Sequence, residues 1–443
     1  MNKAYRDGNI IQQVVYKDTE DLKYTATKAY QLSPYWRKKF EEAQINPQNI
    51  TPENLKEKLY EISIEPRDLY RSDVATKTND FKLILQTSGT TGKPKEIHFL
   101  PKHESKRVAR QIEKWLIDYL NEKNKIVSFF PPLPSASGIM FYEASKIVAS
   151  SENKNLEFYQ IPTQLLQPEQ KEILLNRLTT INPTIIGALP TVIYMLANSL
   201  PENIRKDVRL LITGAEELPI NLAKKILQAF PNAEFVDVYG TSEDGATGYR
   251  KISKNYLTPF SFPETLVTLL QDETSNYYKI YLTKITRRPN FFEKLTKKES
   301  IVGLYLFNYN IGDYAEVNEG NVVRIFREND AISLAGAKLF LTQISEIIHS
   351  YENLVDYVVI FYPLGIVDKP KAVLKVGYVG NKPNLESEIR NRIYESNNPV
   401  RYEVEDSKMA ELEILLVPIS ELRKDLPQKP GKPKRLYRAG NDL

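Results

Sequence analysis

Short apolar segments alternate with helix-like segments between Phe81 and about Tyr249, and this alternation constrains the fold more than any other feature. The short apolar segments are strand candidates. They are Ile126–Phe130, Thr184–Gly187, Arg209–Thr213 and Phe235–Tyr239, and the runs between them, such as Leu222 to Phe230, are helix-like. Strands that alternate with helices predict an α/β fold in which the sheet is mostly parallel and helices cover its faces.

The segments on either side of this alternation differ in character. The first eighty residues are interpreted as helices joined by polar turns, with Ser33-Pro34 and Thr51-Pro52 as typical helix starts. From Leu266 to Phe326 the sequence is rich in strand candidates, which are Tyr278–Leu282, Gly303–Phe307 and Asn321–Ile325. This pattern predicts a β-rich subdomain after the α/β sheet.

A charged run from Arg327 to Asp330 precedes a new α+β segment. A helix is expected over about Leu385 to Glu395, and the strand candidates are Tyr357–Phe361, Ala372–Val376 and Glu413–Val417. A chain of 443 residues is too long for one ordinary core, so more than one domain is expected. We place the boundary near Asn329, which divides the chain into residues 1–328 and 329–443.

The composition narrows the classes of function. A formal net charge of +4 is too small to indicate binding to nucleic acid or to an anionic membrane. No apolar run approaches the roughly 20 residues that a bilayer span requires. The polar start from Met1 to Val14 shows no signal peptide, so a cytoplasmic location is the default expectation. The absence of cysteine excludes disulfides, thiolate zinc sites and cysteine nucleophiles.

A loop rich in glycine and hydroxyl groups follows the apolar run Leu83-Ile84-Leu85. Its residues are Thr87, Ser88, Gly89, Thr90, Thr91, Gly92, Lys93, Pro94 and Lys95. The glycines let backbone amides turn inward, and the hydroxyl and ammonium groups add donors that a polyphosphate accepts. The loop is not a Walker A motif, which needs four residues between its glycines and Ser or Thr after the lysine. It predicts another kind of phosphate-binding loop, and a polar surface turn is the alternative.

Two further motifs end consecutive strand candidates. Thr213-Gly214-Ala215-Glu216 lies at the carboxyl end of its strand, where α/β sheets bind ligands, although a plain turn is the alternative. Tyr239-Gly240-Thr241-Ser242-Glu243 ends the next strand. Its aromatic ring can stack on adenine, its glycine allows close approach of the backbone, and Glu243 can hold a Mg²⁺ ion that bridges phosphate oxygens. A capping pattern for a following helix is the structural alternative for this motif.

Three more polar elements follow in the second half of the chain. Tyr309-Asn310-Ile311-Gly312-Asp313 is a short acidic turn, Arg327 comes next, and Gly431-Lys432-Pro433-Lys434-Arg435 is a basic element near the C-terminus. Taken alone, an acidic turn and a solvated basic tail are common surface features. Their order and spacing after the earlier motifs argue for a shared site instead.

In this order, the motifs resemble those of the adenylate-forming superfamily, which includes acyl-CoA and aryl-CoA synthetases, adenylation domains of peptide synthetases and luciferases. The resemblance spans nearly the whole chain. Within the superfamily, the chain looks most like the phenylacetate-CoA ligases, on the basis of Ser33 to Ile50, Gly214-Ala215-Glu216, Ser242, the ending Gly431–Arg435 and the overall length. It departs from the usual pattern at Glu96 for Gly, Ser135 for His, Ile311 for Thr and Phe326 for Gly.

The resemblance implies a role for each motif. The loop from Thr87 to Lys95 would cradle the β- and γ-phosphates of ATP, with Lys95 as a catalytic residue, and Glu243 would hold Mg²⁺. Lys432 would contact the substrate carboxylate and the nucleotide, and the C-terminal domain that carries it would rotate about a hinge at Asn329. Asp313 would bind the ribose hydroxyls. The other residues expected at the nucleotide are Gly214, Ala215, Glu216, Tyr239, Gly240, Thr241, Ser242 and Arg327.

The chemistry implied by the resemblance has two half-reactions. A carboxylic acid, either aromatic or a medium-chain acyl acid, reacts with MgATP to give an acyl-adenylate and pyrophosphate, and CoA then displaces AMP to give a thioester. We therefore expect an acid–CoA ligase that uses ATP, Mg²⁺ and CoA and binds neither nucleic acid nor membranes. The alternatives are an adenylate-forming enzyme with another acceptor, either a deazaflavin cofactor or a protein, and a nucleotide-binding relative without activity. The sequence does not reveal the acid or the oligomeric state, and a homodimer stays open.

Overall fold

The computed structural model describes residues 3–7, 10–14, 19–70, 73–86, 96–121, 123–130, 136–152, 154–162, 165, 168–214, 218–272, 277–290, 300–327, 331–335, 337–364, 366–427 and 434–440. The chain forms two compact units. The first unit comprises Met1–Glu216, Leu227–Gln271 and Tyr277–Ile325, and the second comprises Glu217–Ile226, Asp272–Asn276 and Phe326–Leu443. The domain boundary near Asn329 stays a prediction, and the last of these segments begins nearby, at Phe326.

The strands and helices are numbered in chain order. The strands are β1 Lys3–Asp7, β2 Ile10–Val14, β3 Leu83–Gln86, β4 Glu96–Phe99, β5 Asn124–Ser128, β6 Leu156–Gln160, β7 Ile185–Gly187, β8 Leu210–Gly214, β9 Glu234–Thr241, β10 Gly245–Ile252, β11 Thr265–Gln271, β12 Tyr278–Lys284, β13 Tyr309–Asn318, β14 Asn321–Arg327, β15 Ala331–Leu334, β16 Ala337–Phe340, β17 Leu354–Tyr362, β18 Lys371–Tyr378, β19 Glu411–Pro418 and β20 Leu436–Arg438. The α-helices are α1 Thr19–Leu32, α2 Pro34–Glu42, α3 Pro52–Glu57, α4 Pro101–Leu116, α5 Ala136–Ser151, α6 Lys171–Ile181, α7 Pro190–Ala197, α8 Glu202–Asp207, α9 Ile220–Ala229, α10 Leu341–His349, α11 Glu386–Ser396 and α12 Asn398–Arg401. Within the described ranges, none of the helices is both long and apolar enough to cross a membrane.

The first unit contains the largely parallel sheet that the alternating pattern predicts. Its strand order is β10-β9-β8-β7-β5-β6, in which β9, β8, β7, β5 and β6 run parallel and β10 is antiparallel to β9. Strands β7 and β8 are buried along their whole length, as expected for central strands of a parallel sheet. The α/β prediction is therefore confirmed. Because parallel strands end at one edge, Ser128, Gly187, Gly214 and Thr241 lie on the same side of the sheet.

A second sheet of the first unit has the order β1-β2-β11-β12-β13-β14, which confirms the strand-rich pattern expected between residues 266 and 326. The expectation of helices throughout the first eighty residues is wrong for β1 and β2, which pair antiparallel with each other. Strand β2 also pairs with β11, so the start of the chain completes a sheet formed by distant segments. The sequence does contain a signal for this pair, because Gly8-Asn9, which stands between the paired residues Asp7 and Ile10, is a common hairpin dipeptide.

The strand expected at Gly303–Phe307 does not form, and within the described chain Leu304 makes only an isolated bridge. Side chains satisfy part of the backbone of this buried segment, and backbone amides of Thr76 and Lys284 donate to the carbonyl oxygens of Gly303 and Leu306. The Gly303 amide donates to Glu104 at 2.8 Å, and the Tyr305 carbonyl accepts from Nε1 of Trp36 at 2.9 Å. Because a sheet ladder would need these same groups, the apolar character of the segment reflects its burial in the core.

Helix α2 begins where the sequence predicts. Ser33 Oγ accepts a hydrogen bond from the Trp36 amide at 3.5 Å, and Pro34 occupies the first turn. The helix buries Tyr35, Trp36 and Phe40 in the core of the first unit. Thr51 caps α3 in the same way, at 3.2 Å from the Asn54 amide, so the interpretation of both starts is confirmed.

The second unit contains a mixed sheet of order β19-β18-β17-β20. Strands β17 and β18 are antiparallel, whereas β20 runs parallel to β17 and β19 runs parallel to β18. The three strand candidates of this region lie inside β17, β18 and β19, and the expected helix corresponds to α11. Ile344 and Ile348 of α10 and Ile389 and Ile393 of α11 belong to one buried core with the sheet, so the α+β prediction is confirmed.

Helix α10 ends in a buried histidine. His349 is 3% exposed, and its Nδ1 lies 2.7 Å from the carbonyl oxygen of Ser345. Because a carbonyl oxygen can only accept, Nδ1 carries the proton. Burial disfavours the imidazolium form, and the positive charges of Arg435 and Lys225 add to this effect, while Asp356 opposes it. Together they lower the pKa of His349 to about 4.

In the unfolded chain, the His349 side chain has a pKa of about 6.5 and is protonated below that pH. We expect the same side chain to stay neutral in the folded protein at these pH values, down to about pH 4. Because the unfolded chain then binds more protons, this residue's contribution to stability is fully present above pH 6.5 and is lost as the pH falls toward 4, by about 3 kcal/mol at most. The protein has three histidines, so NMR of histidine-labelled protein resolves them. His98→Gln and His103→Gln assign the signals, and a His349 signal that titrates near pH 6.5 would contradict the expectation.

Candidate functional site

The site residues predicted from the sequence fall into two groups. The described ones are Gly214, Tyr239–Glu243, Asp313 and Arg327, whereas Thr87–Lys95, Ala215, Glu216 and Lys432 lie outside the described residues. The flanks of the Thr87–Lys95 loop are described, because β3 pairs antiparallel with β4 and Gln86 stands opposite Glu96. Helix α4 begins just after β4. Arg327 is exposed at the end of β14 and belongs to the second unit.

Two of the predicted motifs meet at the carboxyl edge of the parallel sheet. Gly214 ends β8 and pairs with Val238 of β9, the strand that continues into Tyr239. A Cβ atom on Gly214 would lie 2.9 Å from the Val238 carbonyl oxygen, closer than real side chains approach. Glycine at this position therefore lets the two backbones approach at the edge where open α/β sheets bind ligands.

The turn after β9 carries Ser242 and Glu243 and leads into another strand. Thr241 Oγ1 accepts from the Asp244 amide at 3.0 Å, and β10 begins at Gly245. The alternative interpretation of this motif, as the cap of a following helix, is therefore wrong. Residues 239 to 242, which are the end of β9 and the first residue of the turn, are half-buried, as expected at the edge of a sheet.

A hydrogen bond joins Tyr239, in the parallel sheet, to Asp313, in the second sheet of the same unit. The Tyr239 hydroxyl donates to Oδ2 of Asp313 at 2.7 Å. Asp313 is 6% exposed and follows Gly312, whose φ of +77° lies in the left-handed region that favours glycine. The motif Tyr309–Asp313, described as a turn from the sequence, lies in strand β13 instead. It forms one cluster with the aromatic motif, from which it is separate in sequence.

Glu243 is held by Tyr309, the first residue of β13. The Tyr309 hydroxyl donates to Oε1 of Glu243 at 2.8 Å, and Glu243 is only 6% exposed. Burial, together with the negative charge of Glu243, raises the pKa of Tyr309 well above its ordinary value. The hydroxyl therefore keeps its proton, and the Glu243 carboxylate is an acceptor with a fixed orientation.

Two buried cations hold the backbone of the turn that carries Glu243. Lys284, at the end of β12, donates to the Glu243 carbonyl oxygen at 3.0 Å and forms an ion pair with Glu104 at 2.7 Å. Arg107 donates to the Asp244 carbonyl oxygen at 2.7 Å and forms an ion pair with the Asp244 carboxylate. We call Glu104, Arg107, Asp244 and Lys284 the turn clamp.

The turn clamp belongs to none of the sequence motifs, although helix α4 contains a signal for it. Glu104 and Arg107 are buried in α4 together with Val108 and Ile112, so they occupy the apolar side of the helix. Charged residues in such positions are expected to have buried partners. Those partners lie 137 and 180 residues further along the chain, and nothing in the sequence indicates which residues they are.

The carboxylates near this turn fit magnesium only if a substrate supplies most of the ligands. In the part of the chain that the structure describes, no three His, Asp or Glu side chains form a group that could hold a metal by themselves. Mg²⁺ is commonly bound by one or two carboxylates and completes its octahedral shell with substrate phosphates and water. Glu243 is a carboxylate of the required kind.

Comparison with known sequences gives one family and distant relatives. The family model described as AMP-binding enzyme matches residues 155–279. Putative long chain fatty acid-CoA ligases VraA of Staphylococcus epidermidis and Staphylococcus haemolyticus are each 22% identical, over 62% and 65% of this chain. The matches span only 56% and 58% of the length of those relatives.

Solved structures extend the similarity to the whole fold. The 2-hydroxyisobutyryl-CoA ligase in complex with 2-HIB-AMP covers 95% of this chain and 88% of its own, with a TM-score of 0.67 and 12% identity. The amide bond synthetase McbA from Marinactinospora thermotolerans covers 80% of this chain and 67% of its own, with a TM-score of 0.52 and 13% identity. The fold is thus that of adenylate-forming enzymes. Within it, residues 155–279 match the AMP-binding enzyme family, in agreement with the resemblance of the motifs.

Proposed function

We propose that the protein is an ATP-dependent acid–CoA ligase, which activates a carboxylic acid as an acyl-adenylate and then forms an acyl-CoA thioester. The observation that carries this proposal is the pair of hydrogen bonds that link Tyr239 to Asp313 and Tyr309 to Glu243. An aromatic ring suits adenine, Asp313 suits ribose hydroxyls, and Glu243 suits a metal on the phosphates. These groups lie on both sides of the turn at the carboxyl edge of the sheet.

The first half-reaction joins two negatively charged groups. An oxygen of the substrate carboxylate attacks the α-phosphorus of ATP, and the bond to the bridging oxygen of pyrophosphate breaks. Asp313 would accept hydrogen bonds from the ribose while Tyr239 fixes its orientation, and the Thr87–Lys95 loop would surround the β- and γ-phosphates. Lys432 would contact the carboxylate. Mg²⁺ bound at Glu243 would supply positive charge to the phosphate oxygens.

In the second half-reaction, the CoA sulfur attacks the acyl carbon, AMP leaves with the bonding electrons, and the thiol proton passes to solvent. An aromatic acid, as in phenylacetate-CoA ligases, is the finer part of the proposal. It rests on the motif resemblance and on an apolar environment at the carboxyl edge of the sheet. There, the rings of Phe130 and Phe141 pack edge to face, within 3.2 Å of where a Cβ on Gly187 would lie.

The acceptor is the part of the proposal with a specific alternative. A solved protein of this fold is an amide bond synthetase, so the fold alone does not select CoA. The test is pyrophosphate release from MgATP across a panel of aryl and fatty acids, with and without CoA. Release that requires an acid and accelerates with CoA is the expected result. Release without any effect of CoA would favour another acceptor, and no release with any acid would contradict the proposal.

Removal of the Asp313 carboxylate should weaken nucleotide binding and preserve the fold. We expect Asp313→Ala to lower the affinity for AMP by about 100-fold, because two hydrogen bonds to a charged acceptor would be lost. Tyr239→Phe removes only the orienting hydroxyl and should have a smaller effect. Calorimetry of AMP binding measures both variants, and circular dichroism checks the fold. An unchanged affinity in Asp313→Ala would contradict the ribose role.

A further inference from the structure

We infer that Arg107 and Lys284 are positioning residues that hold Glu243 in place for Mg²⁺-dependent binding of ATP. This inference rests on the proposed function, since it takes Glu243 as the metal-binding carboxylate. Neither cation contacts the Glu243 carboxylate in the hydrogen bonds described above. Lys284 binds the carbonyl of the peptide that follows Glu243, and Arg107 binds the carbonyl of the next peptide, after Asp244. By fixing this backbone, they set the direction from which the Glu243 carboxylate approaches the phosphates.

Arg107 uses its whole guanidinium group on one side of the turn. Nη1 donates to the Asp244 carbonyl oxygen at 2.7 Å, and Nη2 pairs with the Asp244 carboxylate. Nε donates to the Ile285 carbonyl oxygen at 2.9 Å, and Nη2 also reaches the Glu264 carbonyl oxygen at 2.9 Å. The other oxygen of the Asp244 carboxylate accepts from Thr265 at 2.7 Å. Asp244 and the peptide that follows it are therefore fixed to three separate segments.

Lys284 holds the other side of the turn and connects it to helix α4. Its ammonium lies between the Glu243 carbonyl oxygen and Oε1 of Glu104. Oε2 of Glu104 accepts from the amides of Leu100 and Gly303, each at 2.8 Å. Leu100 is the N-cap of α4 and follows β4, the strand that leaves the Thr87–Lys95 loop. Through these bonds, the base of the proposed phosphate loop and the turn with the proposed metal ligand share one rigid support.

The energetics of buried charges favour a positioning role. All four residues of the turn clamp are at most 3% exposed. Burying charges costs desolvation energy, and well-packed apolar residues of similar volume are often as stabilising as a buried ion pair. Stability alone therefore does not explain two adjacent ion pairs at one turn. A geometric requirement does, because Arg fixes several acceptors at once through its planar group.

The test compares Arg107→Lys with Arg250→Lys. Arg250 is a matched control, since it is equally buried, pairs with Asp237 at 2.8 Å in the same unit, and donates to the Val323 carbonyl oxygen at 2.8 Å. Lysine keeps the charge in both variants but loses the planar fork. Calorimetry measures ATP affinity with Mg²⁺ and with EDTA, and AMP affinity serves as a check on the nucleoside side of the site.

We expect Arg107→Lys to reduce the gain in ATP affinity from Mg²⁺ by about 10-fold, as is typical when a group that orients a metal ligand is removed. AMP affinity should stay unchanged, and Arg250→Lys should keep the full gain even where it lowers the melting temperature equally. The double variant Glu104→Gln/Lys284→Met removes the second ion pair without leaving one buried charge alone, and should act like Arg107→Lys.

Failure of the positioning role, of the metal role of Glu243 and of the ligase function would give different results. If Arg107→Lys keeps the wild-type gain in ATP affinity from Mg²⁺, the turn clamp has a structural role only. The same holds if Arg250→Lys loses this gain to the same extent as Arg107→Lys. A wild-type protein that gains no ATP affinity from Mg²⁺ would overturn the metal role of Glu243 and this inference with it. A normal gain from Mg²⁺ in a wild type that releases no pyrophosphate would overturn the ligase function and leave the positioning role intact.

Discussion

Acid-dependent pyrophosphate release is expected to fall by about 100-fold in Glu243→Gln, and more Mg²⁺ should be needed for the activity that remains. The substitution removes one negative charge and little else. The side-chain amide has the same size, and its oxygen can still accept the hydrogen bond that Tyr309 donates at 2.8 Å in the wild type. A loss of activity in a protein with an unchanged melting temperature would therefore report on the charge.

Glu234→Gln is the matched control for this prediction. Glu234 begins the same strand, β9, at the opposite edge of the sheet, and it also accepts from tyrosine hydroxyls, those of Tyr119 and Tyr256. The same chemical change at this position should leave pyrophosphate release and its Mg²⁺ dependence unchanged. If pyrophosphate release falls equally in the two variants, the loss comes from a disturbance of the sheet, and the metal role of Glu243 is wrong.

The α/β fold was predictable from the sequence because the central strands carry their own signal. Leu210 to Gly214 and Ile185 to Gly187 are buried on both faces, so they are short, continuous apolar runs between helical segments. The two errors have a different cause. One error is the strand that was expected at Gly303–Phe307 and does not form, and the other is the pair β1–β2, which forms and was not expected. Both depend on which groups the backbone bonds to, and the apolar pattern of a sequence does not reveal those partners. Only the dipeptide Gly8-Asn9 indicated the pair.

The candidate site shows the same division between local and distant information. Tyr239, Glu243 and Asp313 were identifiable because each belongs to a short motif with a recognisable order. The bonds between them were not, since Tyr239 and Asp313 are 74 residues apart and Glu243 and Tyr309 are 66 residues apart. The turn clamp was missed for the same reason. The only sign of such an ion pair in the sequence is a charged residue on the apolar side of a helix.

Lys432→Ala should abolish acyl-adenylate formation and leave thioester formation from prepared acyl-AMP and CoA largely intact. This lysine lies outside the described residues, and its role is a prediction from the Gly431–Arg435 element. In the first half-reaction, an ammonium group between the carboxylate and the nucleotide would offset the repulsion of two anions, and removal of such a group typically costs about 100- to 1,000-fold in rate. In the second half-reaction, the acyl group is no longer an anion, so the same charge has no comparable task.

The two half-reactions are measured separately, as acid-dependent pyrophosphate release and as thioester formation from synthetic acyl-AMP. Lys434→Ala is the control, because Lys434 belongs to the same basic element but its ammonium lies 5.3 Å from the centroid of the Tyr437 ring, as in a cation–π contact. We expect Lys434→Ala to affect both half-reactions weakly and alike. If Lys432→Ala also reduces both rates equally, the lysine does not act in adenylation alone. A general role of the basic element, in folding or in nucleotide binding, would then explain the loss, because only a group used in one step can separate the two rates.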